Sequence, residues 1–435
     1  MTFRTYTLGE IFYIENGYAF KSSEFKATGT PVIKIKNIKA GYFKDDEFSY
    51  VESIFLKLKP NKVTRPDDLL ISMSGNRHDG NPDTWVGKVC RFNKNEKMLI
   101  NQRVGALRFR SPTLACANYM GYLLSQMLYQ EYFISIATSS GGQANLSPNQ
   151  ILSMEVTLPT ISKQSAIASI LGSLDDKIDL NRRTNETLGA MARALFRDWF
   201  VDFGPTRAKM SAEAPYLAPE LWELFPDRLD DEGKPEGWLD GTIGNWANLN
   251  SLSWKRQNYP ETVNYLDLSS VKHGIINDIS KMSAQEAPSR AQRILRTGET
   301  VIGTVRPGNG SYAYIDREGL TGSTGFACFY AEDKKFREFI YFALTDKENI
   351  DRLTHLADGG AYPAVRPDVV ADTSCILSEQ TVSAFHTVVS SWMNKISANN
   401  IESHTLAQLR DLLLPKLMSG EISIRDAEKM VEDAA

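Results

Sequence analysis

The chain has few of the residues that do chemistry. Its 435 residues include four cysteines, Cys90, Cys116, Cys328 and Cys375, so scattered that they make neither a metal-binding spacing nor a disulfide framework. They suit a reducing cytoplasm, as small buried hydrophobes. The five histidines, His78, His273, His355, His386 and His404, pair with no cysteine or aspartate at ligand spacing. No run of about eighteen apolar residues occurs, which excludes a membrane-spanning helix. The start, Met1-Thr2-Phe3-Arg4-Thr5, lacks the apolar core of a signal peptide. Gly308-Asn309-Gly310 is a lone Gly-x-Gly, too little for a phosphate cradle. Asn81-Pro82-Asp83-Thr84 lacks the second proline and the aromatic of an amino-methyltransferase motif. Pro226-Asp227 followed by Glu232-Gly233-Lys234 imitates the acids and lysine of a nuclease, but in a Pro/Gly-rich stretch rather than on paired strands. No catalytic residue and no metal ligand is therefore assigned.

A net charge of −4 also argues against a polyanion partner until it is divided along the chain. Residues 1–158 hold 19 Lys+Arg against 14 Asp+Glu, and residues 159–240 hold 10 against 15. Residues 241–378 hold 15 against 16, and the remainder 5 against 8. The first block is basic, and the acids collect elsewhere.

What the chain does have is a second copy of itself. Ile167, Leu171, Leu174, Ile178, Leu188, Ala192 and Leu195 recur at steps of four and three, and a shift of 218 returns Phe385, Val389, Trp392, Ile396, Leu406, Arg410 and Leu413. Only Arg410 breaks the apolar run. Asn181 and Asn399 share one polar interruption, the register device of a coiled-coil seam. Phe196, Trp199 and Phe200 add aromatics suited to a partner helix. Ahead of each helix, residues 137–148 resemble 357–367, and residues 63–72 resemble 294–303. The order is globular, helix, globular, helix.

Periodicity predicts strands at residues 31–36, 68–73, 106–109 and 153–158, and one helix over 119–136. The second block predicts strands at 264–268, 300–305 and 325–330 and one helix over 336–355. The loops between them are rich in side chains that read nucleic acid: Arg for guanine edges, Asn and Gln for adenine, Lys and Ser for phosphate. In the first block these are Lys34, Lys36, Asn37, Lys39, Ser74, Asn76, Arg77, His78, Gln102, Arg103, Gln143 and Asn145. In the second they are Lys272, Arg306, Asn309, Ser311, Tyr312, Ser323, Thr324, Tyr362 and Arg366. Three readings are open at this point: a DNA-binding module, a coiled-coil assembly adaptor without DNA binding, and an enzyme with its own nuclease or methyltransferase centre.

Longer strings add a resemblance. Leu158-Pro159 leading to Gln164-Ser165-Ala166-Ile167, then Leu174-Asp175-Asp176-Lys177-Ile178-Asp179, Leu195-Phe196-Arg197-Asp198-Trp199-Phe200, Lys234-Pro235-Glu236-Gly237-Trp238 and Leu414-Pro415-Lys416-Leu417-Met418-Ser419-Gly420 resemble the DNA-specificity subunit of type I restriction–modification systems. The resemblance implies an α+β fold: two similar target recognition domains, 1–158 and 242–378, separated by two long antiparallel coiled-coil helices, 159–204 and 379–418. Residues 205–241 would be a linker and 419–435 a tail. Each domain would read one half of a bipartite duplex. The helices would bind two methyltransferase subunits, with restriction subunits joining the complex. S-adenosylmethionine, ATP and Mg²⁺ would belong to those partners, the chain itself being non-catalytic and cytoplasmic.

Overall fold

The computed structural model describes residues 3–111, 114–140, 142–357 and 363–433. They form two compact units, one of residues 1–179 with 403–435 and one of residues 180–402.

The duplication is visible in the strand order of each unit. In the first, an antiparallel sheet runs Phe12–Asn16, Val104–Phe109, Leu69–Ser72, Val89–Arg91. In the second, the same order is Asn248–Leu249, Phe326–Tyr330, Thr300–Gly303, Tyr312–Tyr314. Each unit has a further sheet containing one parallel pair. Thr30–Ile33 runs beside Leu99–Ile100, and Thr262–Leu266 beside Leu320–Ser323. The copies differ at the edge. Phe25–Lys26 extends the first of these sheets beyond Ser49–Val51, whereas Ala291–Leu295 extends the second beyond Leu320–Ser323. Both units close the same way: Arg4–Thr7 pairs with Glu155–Leu158, and Leu239–Thr242 pairs with Ser374–Leu377.

Several expectations from periodicity need correction. The strand expected over 31–36 stops at Ile33, and Ile35–Asn37 is a 3₁₀ turn, so Lys34 and Lys36 share no strand face. The helix expected over 119–136 is two, Ala117–Ser125 and Met127–Ile136, parted at Gln126, whose ψ of 147° is extended. The helix expected over 336–355 divides likewise into Arg337–Thr345 and Lys347–Ala357 at Asp346. The Asp346 carboxylate accepts a bond from the Glu348 N–H at 3.0 Å, capping the second piece. Residues 205–241, expected as a linker with a short helix at 220–225, are built into the second unit. They form helices Gly204–Met210 and Pro219–Trp222, and they bury Trp222, Phe225 and Trp238. The tail carries the short terminal helix expected near 426–434, as Ile424–Glu432, and its Ala427 lies in the first unit's core.

The two long helices run Ile161–Phe200 and Glu379–Ser419, and each contributes to both units. In the first unit Leu171, Leu174, Leu406 and Leu413 are buried together. Arg410 is accommodated because Asp175 accepts from its guanidinium at 2.7 Å and from the Tyr122 hydroxyl at 2.5 Å. In the second unit Asn181 donates to Glu402 at 2.7 Å, and Asn185 donates to Asn400 at 2.8 Å while accepting from Asn399 at 2.8 Å. Rising numbers meet falling ones, so these segments are antiparallel. Asn181 and Asn399 are both buried, whereas Ile178, Leu188, Leu195, Trp392 and Ile396 are half-buried.

The aromatics expected to face a partner are spent within the second unit. Phe196, Trp199 and Phe200 are buried and surround Phe385 with ring centroids 6.1, 6.2 and 5.5 Å away. The helix ends where Phe203 adopts a left-handed φ of 53° ahead of Gly204-Pro205.

Candidate nucleic-acid interface

In the first unit three loops distant in sequence meet at one end of the strands. The backbone N–H of Met73 donates to the Arg103 carbonyl, and that of Leu146 to the Met73 carbonyl, both at 2.9 Å. Ser74–Gly75 thereby joins a small sheet with Gln143–Asn145 and Thr138–Ser140. Ser74 donates to Gln143 at 3.2 Å, and Arg103 donates to Asn145 at 3.0 Å. The turn carrying Gln102 and Arg103 is held by close approach of the backbone. A Cβ on Gly17 would lie 1.9 Å from the Asn101 carbonyl oxygen, so only glycine fits there. Gln102, Arg103 and Gln143 are exposed, and Asn145 is half-buried beside them.

Other residues expected to read DNA have structural duties. Asn37 is buried and donates to the carbonyls of Lys44 and Asp46, so it fixes its own turn. Ser74 is buried beneath Gln143. Arg77 donates to the Ala137 carbonyl and ties its loop to the helix end. Asn76 donates to Thr84 at 3.0 Å, and His78 pairs with Glu131 at 2.7 Å. Lys39 pairs with Asp83, and Lys36 with Glu47 at 3.3 Å. Lys34 donates to Ser49 at 2.7 Å and stands over the Phe25 ring. Burial, aided by Lys36, holds its ammonium below the usual pKa. Burial also pushes Lys88, which donates to the Asp83 carbonyl, down to about 8.

The second unit repeats the backbone of this cluster without its side chains. Thr304 N–H donates to the Gly325 carbonyl and Val365 N–H to the Thr304 carbonyl, both at 2.9 Å. Gly325 and Ala364 thus stand where Arg103 and Asn145 stand in the first unit. Thr324, the counterpart of Gln102, is exposed, as is Arg306, whose φ of 47° is left-handed. Lys272, Asn309 and Ser311 line one cleft with His273 and Ser269. Ser323 is buried and accepts from Gly325 N–H at 3.2 Å, and the Tyr312 ring is buried against His273, so neither presents a reading edge. Arg366 is exposed and pairs with Asp368 at 3.1 Å. Tyr362 lies outside the described residues.

Sequence reasoning missed one group at these strand ends. It is the turn Lys255-Arg256-Gln257-Asn258, flanked by Trp254 and Tyr259. Two adjacent cations between aromatics are its signal, where the corresponding turn of the first copy, Lys21-Ser22-Ser23-Glu24 between Phe20 and Phe25, has one cation and one acid. Among the described residues no group of three or more His, Cys, Asp or Glu is placed to hold a metal ion, and no helix is long and apolar enough to cross a membrane.

Two copies of one two-sheet fold, each gathering divergent polar loops at the same strand ends, define a duplicated recognition scaffold. Residues 2–190 match the family model described as the type I restriction modification DNA specificity domain. Residues 2–190 carry the DNA-specificity domain of type I restriction–modification systems, and the chain is similar to specificity subunits of such systems. It is 26% identical over 343 residues to the HindI specificity subunit of Haemophilus influenzae, covering 67% of this chain and 74% of the relative. It is 24% identical over 324 residues to the MjaIX specificity subunit of Methanocaldococcus jannaschii, covering 71% and 70%. The crystal structure of the type I S subunit from M. genitalium has the same fold, with a TM-score of 0.56 at 16% identity over 96% of each chain.

Proposed function

We propose that each unit carries one target-recognition surface, that each reads one half of a bipartite duplex, and that the long helices dock two methyltransferase subunits. Adenine methylation and restriction, with S-adenosylmethionine, ATP and Mg²⁺, would belong to partner subunits. The observation that carries this reading is the contrast at equivalent backbone positions. The scaffold bonds at Met73 and Thr304 are the same, while the Arg103–Asn145 pair is replaced by Gly325 and Ala364. A repeated frame with exchanged side chains suits two different half-sites.

Mapping methylated adenines in a host carrying the chain with its methyltransferase tests this. The expected motif has two specified halves and an unspecified gap, and an uninterrupted motif would overturn the reading. In the same assay Gln102→Ala, which removes an exposed side chain, is expected to relax one position of one half-site. Removing a base-edge hydrogen-bonding group costs about 1–3 kcal/mol of discrimination.

The buried leucines of the seam are occupied by the chain's own helix pairing. Methyltransferase docking therefore falls to exposed apolar residues of the same helices, such as Leu180 and Met191 at 57% and 46% exposure. Leu180→Asp with Met191→Asp is expected to leave melting unchanged and abolish co-purification with the methyltransferase subunit. Undiminished co-purification would place the docking face elsewhere.

A further inference from the structure

The second unit lacks the basic character of the first, yet it holds a concentrated pair of cations in a rigid setting. Between strands Asn248–Leu249 and Thr262–Leu266 the chain makes an isolated bridge from Ser253 to Arg293. Trp254 then donates its backbone N–H to the Gln292 carbonyl at 2.8 Å and its indole N–H to the Thr321 hydroxyl at 3.0 Å. Tyr259 returns the chain to the same strand, its hydroxyl donating to the Ala291 carbonyl at 2.8 Å. The two rings meet edge to face at 6.3 Å. Between these anchors lies the turn Lys255–Asn258, closed by Lys255 N–H donating to the Asn258 side chain at 2.7 Å and Asn258 N–H donating to the Lys255 carbonyl at 3.0 Å.

All four side chains of the turn are exposed. Among the described residues, neither Lys255 nor Arg256 has a carboxylate partner, whereas neighbouring Arg290 is paired with Asp267 at 2.6 Å. Strand pairing places the turn at the recognition end of the sheet. Ala291 lies opposite Ser323, and Thr324 N–H donates to the Arg290 carbonyl at 2.8 Å. In the first unit the corresponding turn, Lys21–Glu24, lies between Phe20 and Phe25 and closes alike, Lys21 N–H donating to the Glu24 carboxylate at 2.6 Å and Glu24 N–H to the Lys21 carbonyl at 3.0 Å. The second copy thus keeps the turn but has Arg256 in place of Ser22 and the neutral Asn258 in place of the Glu24 carboxylate, at the end where that copy lacks the Arg103–Asn145 pair.

A polyanion is the partner this geometry fits. Two adjacent unneutralised cations attract phosphates. A backbone already fixed at both ends loses little further conformational entropy when they bind. We propose that the Lys255–Asn258 turn is the phosphate anchor of the second unit on duplex DNA, with Lys255 and Arg256 contacting the backbone and setting the register of the Thr324 loop. The proposal rests on the reading of the chain as a DNA-recognition protein.

The test uses the full chain in complex with its methyltransferase subunits. Dissociation constants are measured from about 50 to 200 mM salt, on a duplex of arbitrary sequence and on one carrying the mapped motif. Lys255→Ala with Arg256→Ala is expected to weaken binding to both duplexes at least tenfold at low salt. It should also reduce the slope of log K against log salt by about two, near 0.9 for each phosphate that is no longer neutralised. The charge-matched control, Lys334→Ala with Lys347→Ala, is expected to bind as wild type. A double variant at 255 and 256 with the wild-type slope overturns the anchor. A wild-type complex that binds neither duplex overturns the DNA reading itself. Both side chains lie in solvent, so melting is expected to be unchanged. Should it fall, Lys255→Gln with Arg256→Gln, which keeps the side-chain stems, carries the same two outcomes.

Discussion

Exchange of residues 1–158 for the corresponding block of a relative is expected to replace one half of the DNA target and leave the other half intact. The strand pairing explains why the block is separable. It begins and ends on adjacent strands, Arg4 opposite Leu158, so its two junctions are neighbours in one small sheet. Residues 239–377 are closed in the same manner, Leu239 opposite Leu377. The incoming block must keep its hydrogen bonds to the helix it rests on. Tyr122 donates to Asp175, and Gln164 accepts from Cys116 N–H at 3.0 Å while donating to the Pro159 carbonyl at 2.9 Å. Each mismatched base pair costs about 1–3 kcal/mol, so an old half-site altered at about three pairs would lose roughly 3–9 kcal/mol. Mapping methylated adenines before and after the exchange reads the result. A change in both halves would show that recognition is not divided between the units.

Phe385→Ala is expected to be among the most destabilising single substitutions in the second unit. The ring is fully buried where both long helices meet helix Arg337–Thr345, 5.5 Å from Phe200 and 6.0 Å from Phe342. Removing a buried phenyl group costs about 3–5 kcal/mol, because the forfeited transfer energy is joined by the cavity left behind. For a unit of this size that lowers the melting temperature by roughly 6–20 °C, at about 2–4 °C per kcal/mol. Calorimetry of the purified chain should show the shift in the transition of the second unit. A loss below about 1 kcal/mol would mean that the aromatic cluster closes over the cavity. By contrast Ile396→Asp, at a half-buried position of the same helix, is expected to cost less.

The sequence was enough to show the duplication, the long helices and the polar interruption that they share. These are periodic signals: a 3.6-residue apolar stripe, with Asn181 and Asn399 falling at one offset of 218. It also located strands such as Leu69–Ser72 and Thr300–Gly303, which are four buried residues each. What it could not supply was the state of individual side chains. Asn37 and Gln102 are both polar loop residues beside a strand, yet one is consumed by two carbonyls and the other is exposed. The helix breaks at Gln126 and Asp346 were equally hidden, because neither Gly nor Pro marks them and apolar residues continue on both sides. Phe196, Trp199 and Phe200 carried the same apolar signal whether they met a partner or their own domain, and burial beside Phe385 decided it. Local pattern specifies which segments form helices and strands, because backbone geometry and burial of one face are local demands. Which polar groups remain available depends on hydrogen bonds such as those of Met73 with Arg103 and Thr304 with Gly325, made across tens of residues. Only the folded chain brings those partners together.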